Sequence, residues 1–344
     1  MIEILTGGLL TTIQDKGRFG MQRYGVAVSG AMDHYAHSLA NILVGNSRKE
    51  ASLEVTMMGP DVKFNTSVIF AVCGAQFNNM QLSGNKIECG RAYLAKAGDV
   101  LKMGYAEKGV RAYLSFAGGF ETMPIHGSSA TFIRGGIGGL DGRALKAGDT
   151  LKLKAPVSLL PKMEQRKVDL NKFYQYDEVR SIRVLMGPQD DYFSEKGKET
   201  FLTSEYTLTP ENDRMGYRMD GPDVEYAEGY DGNIVSDGIP KGAIQIPSGK
   251  PIIMMADRQT TGGYAKIASI INADLAIAAQ MRAGDKAKFT AVDIDTAHDL
   301  MLGRREELHQ MEEELNGEAA NKVSRIRVHL DGEVFDITVE TIEE

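Results

Sequence analysis

Asp257-Arg258-Gln259-Thr260-Thr261-Gly262-Gly263-Tyr264 gathers a carboxylate, a guanidinium, a carboxamide, two hydroxyls and a phenol around two adjacent glycines. The cluster follows directly on the apolar run Ile252 to Ala256, so a buried element would hold its base still. Adjacent glycines let backbone approach a ligand closely, and polar groups at the end of a fixed element are a common way to build a site. The competing reading is a tight turn whose side chains cap their own backbone. A second polar stretch, Asp213-Arg214-Met215-Gly216-Tyr217-Arg218, sets two guanidiniums four residues apart around a glycine. Arg18 lies in a third, Gln14-Asp15-Lys16-Gly17-Arg18-Phe19-Gly20, and Ser29 opens a fourth loop, Ser29-Gly30-Ala31-Met32-Asp33. Arginine forks bind carboxylate or phosphate through paired hydrogen bonds, so Arg18, Arg214, Arg218 and Arg258 point to an anionic substrate. For any single arginine, surface ion pairing is the plainer explanation.

Other chemistries find less support. Gly135 to Arg143 holds five glycines and could cradle an anion, but no P-loop lysine follows, and a flexible loop or lid is the better reading. His34 and His37 are spaced to share a helix face, yet no third ligand or HExxH pattern accompanies them, so no metal site is expected. A GxSxG nucleophile elbow is absent.

The elements that must position these loops are short and mostly extended. Ala243 to Ile246 and Ile252 to Ala256 flank the turn Pro247-Ser248-Gly249-Lys250-Pro251 and read as a buried hairpin. Residues 2–13 read as two strands around Gly7-Gly8. His34 to Val44 has helical apolar spacing, with Asp33 as N-cap and Gly45 as a left-handed C-cap. Asn272 to Met281 suits a short helix, and Thr296 to Leu315 a longer one with a sparse apolar side at Met301, Leu308, Met311 and Leu315. The tail reads as a hairpin of Ser324 to Leu330 and Val334 to Val339 around Asp331-Gly332.

A length of 344 residues favours two domains. The net charge is -8, with no lysine- or arginine-rich stripe, which argues against nucleic acid as a partner. No apolar stretch reaches the roughly 20 residues of a membrane span, and the N-terminus lacks a signal-peptide pattern, so a cytoplasmic protein is expected. Cys73 and Cys89 make no CxxC pair and read as reduced core residues. Short phrases recur: GPDV at 59–62 and 221–224, and AGD at 97–99, 147–149 and 283–285. Each AGD reads as a turn feeding a strand. Together the repeats suggest two related β-rich domains, 1–155 and 180–295, joined by a linker over 156–179 and followed by a helix and hairpin over 296–344.

The ordered phrases QDKGRFG (14–20), SGAMD (29–33), ANILVGN (40–46), GSSAT (127–131), DRMGYR (213–218), GAIQIPSGKPI (242–252) and DRQTTGGYAKIA (257–268) extend the pattern. Over roughly residues 3–295 the chain resembles the biotin-dependent carboxyltransferase family, also called the allophanate hydrolase subunit 2 family. The resemblance implies a mainly β fold of two cyclophilin-like β-barrel domains in a pseudo-repeat, with few helices. It also implies a place in a hetero-oligomer: a subunit of an ATP-dependent 5-oxoprolinase complex that opens the 5-oxoproline lactam to L-glutamate. Its partners would be a subunit 1 relative of the kinase-inhibitor-like type and a lactam-utilisation subunit, and it would be inactive alone. Two alternatives come with the family: half of a biotin-dependent carboxyltransferase acting on urea or a related amide, and a non-enzymatic antagonist of a histidine-kinase inhibitor. The tail resembles the opening hairpin of a biotinyl-carrier domain, but no Met-Lys-Met site follows it, so biotin would have to arrive on another subunit. Within that reading, Arg214, Arg218 and Arg258 would clamp a carboxylate or phosphate. Thr260 and Thr261 would donate to a developing oxyanion, and Gly262, Gly263 and Tyr264 would line the approach. Asp257, Gln245 and Gln259 would orient the amide, while Gln14, Asp15, Arg18 and Ser29 would furnish the opposite wall.

Overall fold

The structure, a computed structural model, describes residues 1–155, 163–174, 176–320, 323–330 and 333–340, with side chains through 316. The Gly7-Gly8 turn divides the first two strands between different sheets. Ile2–Thr6 lies between Thr150–Leu151 and Asp61–Phe64 in a six-stranded sheet, whereas Leu10–Gln14 is the edge of a five-stranded sheet. The turn must be glycine: Gly8 has φ +67, and a Cβ there would sit 2.4 Å from the Met58 carbonyl oxygen. The five-stranded sheet continues through Ser52–Thr56, Lys108–Phe116, Val68–Gln76 and Ala92–Ala95. Ile2, Ile4 and Phe64 from one sheet and Ile13, Val55 and Phe70 from the other share one core. Helix α1 (His34–Leu43) covers the opposite face of the five-stranded sheet, packing Leu39 and Leu43 with Cys73 and Tyr113. Burial on both faces explains why Val68 to Ala75 is an unbroken apolar run rather than an alternating one. The helix starts where expected, because the Asp33 carboxylate accepts from the backbone N–H groups of Tyr35 and Ala36.

The second half closes into a barrel of seven strands. Their order is Val179–Met186, Lys266–Ile270, Ala243–Gln245, Ile252–Met254, Gly216–Asp220, Glu205–Asn212 and Lys286–Ala291. Closure comes from a parallel pairing of the first and last of these, Val179↔Lys286 through Val184↔Ala291. Ile182, Phe201, Tyr206, Tyr217, Ile253 and Phe289 fill the interior. Helix α2 (Glu195–Thr203), capped by Ser194, supplies Phe201, whose ring stacks on Phe289 at 4.7 Å. The expected hairpin is present, with Ile244 opposite Ile253 and Gln245 opposite Ile252. Outside the barrel, Asn233–Gly238 and Thr261–Tyr264 form a separate two-stranded ribbon.

The expectation of two related barrels is met in one half only. The chain is mainly β, but its first half is two sheets sharing a core, and a repeat of one barrel is not established. The GPDV phrase is part of a strand at Asp61–Phe64 but lies in a loop at 221–224. The AGD phrases do behave alike: Gly98, Gly148 and Gly284 take φ +96, +88 and +95 and each precedes a strand. In the stretch between the halves, Met163, Leu170 and Tyr174 are buried in the core beneath α1. Two further helices follow, α3 (Leu275–Ala279) and α4 (Ile294–Ala320). Helix α4 lays Leu308, Met311 and Leu315 on the α1 core. The tail strands Val323–Leu330 and Glu333–Glu340 pair antiparallel, as their alternation predicts, while the intervening Asp331-Gly332 lies outside the described residues.

Candidate active site

The first half and the barrel meet largely through buried polar groups. Apolar contacts cross as well: Ala276 of α3 packs on the α1 core, and Met32 leaves its own half and packs in the barrel core. Around it, Ser29 N–H donates to the Ala256 carbonyl at 3.2 Å, and the Lys241 ammonium donates to the carbonyls of Ala31 (3.0 Å) and Met32 (2.9 Å). Gly30 and Gly17 allow these loops to touch, since a Cβ on Gly30 would lie 2.6 Å from the Gly17 nitrogen.

Arg214 ties this junction together. Its guanidinium meets the Asp257 carboxylate with two parallel bonds, Nε to Oδ2 at 3.0 Å and Nη2 to Oδ1 at 3.1 Å. It also pairs with Glu54 and donates to the Gly30 carbonyl at 2.7 Å. All three charged side chains are buried. Burial alone would raise the Glu54 carboxyl, but the Arg214 and Arg111 charges, with bonds from Met32 N–H and Tyr113 O–H, hold it below the ordinary carboxylate range. Arg214 and Asp257 were expected to face substrate. Their hydrogen-bonding capacity is instead spent on each other, on Glu54 and on Gly30, so both act as internal ties.

Asp15 serves a similar structural end, accepting from Gly17 N–H, Ser128 Oγ and Ser129 N–H at 2.8, 2.7 and 2.6 Å. Arg18 is fully buried and donates to the carbonyls of Ile125, Ser128 and Ala130. Its Nη1, the Gln14 Oε1 and the Ser29 Oγ are buried atoms that find no hydrogen-bond partner among the described residues. Such atoms are costly unless something else satisfies them. Gly138, part of the loop expected to be a lid, packs where a Cβ would lie 1.9 Å from the Ala130 carbonyl oxygen, so this part of the loop is close-packed backbone, while Gly136 is open.

Arg258 differs from Arg214 in the one respect that matters. It is buried and donates to the carbonyls of Ile239 (2.8 Å) and Met255 (3.3 Å), yet among the described residues it makes no ion pair. Burial lowers it to about 10, against the opposing pull of Asp257. Lys241 is also depressed, to about 7, by burial and then by the positive charge of Arg214.

A cleft of about 570 Å³ opens where the barrel mouth faces the first half. Gln245, Gln259, Tyr264 and Arg218 line it, as does Arg134 from the first half. Gly262 is what brings the carboxamides together: a Cβ there would fall 3.0 Å from Gln245 Nε2 and 3.5 Å from Gln259 Nε2. Gln245 Nε2 donates to the Tyr264 carbonyl at 3.1 Å, and Arg218 sits 3.5 Å from Glu211 in an exposed pair. Thr260 and Thr261 stand beside the cleft rather than among its lining residues; the Thr260 carbonyl accepts from Ile239 N–H, and Thr261 and Gly263 belong to the outer ribbon. Sequence reasoning missed Arg134 and Asn212 in the cleft and Glu54, Tyr113 and Lys241 at the junction. Glu54 carried a signal, an acid between Leu53 and Val55 in an apolar strand; the others carried none.

The loops that build this junction and cleft lie within, or just before, residues 24–291, which match the model of the carboxyltransferase domain, subdomains A and B. The chain belongs to that family. Among its relatives is the 5-oxoprolinase C subunit of Haemophilus influenzae, 38% identical over 316 residues, covering 90% of this chain and 96% of that one. The Escherichia coli 5-oxoprolinase C subunit is 36% identical over 298 residues, covering 86% and 93%. The solved urea carboxylase of Kluyveromyces lactis matches with TM-score 0.84 at 31% identity, covering 91% of this chain. This chain spans 29% of that larger protein.

Proposed function

We propose that this carboxyltransferase-family chain is a cytoplasmic subunit of an ATP-dependent 5-oxoprolinase complex, opening the 5-oxoproline lactam to L-glutamate. It would act with a subunit 1 relative and a lactam-utilisation subunit and be inactive alone. The observation that carries this reading is the nearly end-to-end match to two 5-oxoprolinase C subunits, against partial coverage of the urea enzymes.

The cleft chemistry fits a small lactam acid. A lactam carbonyl is unreactive; ATP would activate it by phosphorylating its oxygen with release of ADP. Water would then add at that carbon, the ring C–N bond would break with a proton going to the nitrogen, and phosphate would leave to give the glutamate side-chain carboxylate. Gln245 and Gln259 orient the ring amide, one through its carbonyl oxygen and the other through its N–H groups. Arg218 and Arg134 hold the ring carboxylate. Arg258, buried without a counter-ion, contributes positive potential where negative charge develops on the opening ring. Tyr264 lines the mouth through which the lactam enters, and Thr260 and Thr261 would serve as oxyanion donors once a partner closes the outer ribbon. A second reading rests on the likeness to urea amidolyase, 32% identical over 315 residues: half of a carboxyltransferase acting on urea, with biotin carried by another subunit.

The test is co-expression with the two partners, measuring ATP hydrolysis and glutamate release with 5-oxoproline, urea or neither. Coupled turnover with 5-oxoproline that requires this chain is expected. Substituting Arg258→Met or Gln259→Ala should abolish it without breaking the complex, and full activity in both variants would remove the proposed roles. Turnover with urea and a biotinylated carrier would instead establish the second reading, and silence from an intact complex would favour the regulatory antagonist.

A further inference from the structure

Lys16 and Phe19 of the QDKGRFG loop take no part in the cleft or junction; they face a second cavity, of about 520 Å³, between α1, α3 and α4. Five cations line it: Lys16, Arg48, Lys49, Arg304 and Arg305. Among the described residues no aspartate or glutamate lines it, on a chain whose net charge is -8. Arg48 is paired with Glu312 at 2.8 Å and Arg304 with Glu307 at 3.1 Å, both outside the cavity lining. Among the described residues Lys16, Lys49 and Arg305 have no side-chain partner, which leaves three positive charges unmatched. Crowding is felt at Lys16, whose ammonium is lowered by burial and then by Arg48 and Lys49, against the opposing pull of Glu312. Two nearby carboxylates do not balance five cations, and an excess of like charge gathered in a concave site favours an anionic ligand. His34, Ser38 and Asn272 add uncharged polar groups to the lining, and one side of the wall is apolar. Leu275, Ala276, Met301 and Leu308 form it, beside Phe19 and a Tyr35 ring that already carries the Arg304 guanidinium at 5.2 Å.

We infer that this cavity binds a polyphosphate anion, with the unmatched ammonium and guanidinium groups on its oxygens and the apolar wall available to a ring attached to it. A nucleotide and a free polyphosphate share that chemistry. Three unmatched charges suit a chain of two or three phosphates better than a single carboxylate. Fixed guanidinium forks and mobile ammonium groups together are the side chains that recognise phosphate oxygens.

The test is calorimetric titration of the full chain with ATP and, separately, with pyrophosphate, at low and moderate salt. Lys49 and Arg305 are exposed, so Lys49→Glu/Arg305→Glu should fold normally, which a melting curve checks. Lys102→Glu, exposed on the six-stranded sheet, is the control. Binding should weaken by at least about tenfold in the double variant and with added salt, and change by less than about twofold in the control. Binding of both probes identifies the phosphate chain as the determinant, and binding of ATP alone shows that the ring is needed; both support the site. No binding of either at about 1 mM, or unchanged affinity in the double variant, overturns it. Binding of polyglutamate but not of ATP or pyrophosphate also overturns it, making the cavity a peptide-docking surface. Because the isolated chain is titrated, the outcome is separate from turnover of the complex.

Discussion

Replacing Arg214 by Met strands two buried carboxylates at the junction. Met fills much of the stem's volume, so the loss is electrostatic rather than a cavity. Asp257 loses both bonds of its bidentate pair, at 3.0 and 3.1 Å; Glu54 keeps its bonds from Met32 N–H (2.8 Å) and Tyr113 O–H (2.7 Å), but its nearest remaining positive charge is the Arg111 guanidinium at 4.0 Å. Breaking a buried ion pair from one side costs about 3–5 kcal/mol, because the remaining charge has neither water nor partner. That is a large fraction of a typical stability of about 5–15 kcal/mol. The loss should depend on pH. With Arg214 present, Glu54 sits below its ordinary value of 4.5, so its contribution holds at neutral pH and fades only as pH falls through the depressed value. Without Arg214, burial dominates and Glu54 rises; the folded variant then gains stability as the group takes up a proton. Urea denaturation followed by circular dichroism should therefore show a smaller deficit at pH 5 than at pH 8. Adding Asp257→Asn to the variant removes one stranded charge and should recover about 1–2 kcal/mol. A loss under about 1 kcal/mol, or one equal at the two pH values, would refute the account of the junction.

Lys241, at about 7 when folded against 10.5 for an ordinary lysine, binds fewer protons folded than unfolded between those values. Stability should rise with pH across that window, and Lys241→Met should flatten the rise in denaturation midpoints. Gly262→Ala places a methyl 2.6 Å from Ile239 Cδ1 and 3.0 Å from Gln245 Nε2. Both contacts are side-chain ends, so the fold should lose only about 1 kcal/mol. The displaced carboxamide should lower kcat/KM of the assembled complex by roughly tenfold. Burial raises Cys89 to about 11 and Cys73 well above its ordinary value, so neither is a ready nucleophile. Thiol titration at pH 8 should proceed slowly on the folded chain and reach two equivalents only after unfolding.

The elements that could be read from the sequence are those whose causes lie within a few residues. Asp33 caps α1 through N–H groups two and three positions ahead, and glycine is needed at each AGD turn because the backbone there is left-handed. The hairpin carrying Gln245 follows from two apolar runs and the turn between them. The site was legible as a set of loops, since glycine beside arginine, amide and hydroxyl is a local pattern. Which loop residue does what was not. Arg214 and Arg258 are the same residue type in similar polar loops, yet only Arg214 meets a carboxylate 160 positions earlier in the chain, at Glu54. Arg134 enters the cleft from the first half for the same reason: chain entropy carries no preference for that distant contact until the packing of both halves has formed it. Composition and spacing thus settled the extended class, the first helix and the loops that carry polar chemistry. The closing of one barrel, the pairing of buried charges and the split between arginines that pair with carboxylates inside and arginines that line the cleft were decided only by tertiary packing. These depend on which distant groups share a low-dielectric interior, where a charge must find its partner or remain available to a ligand.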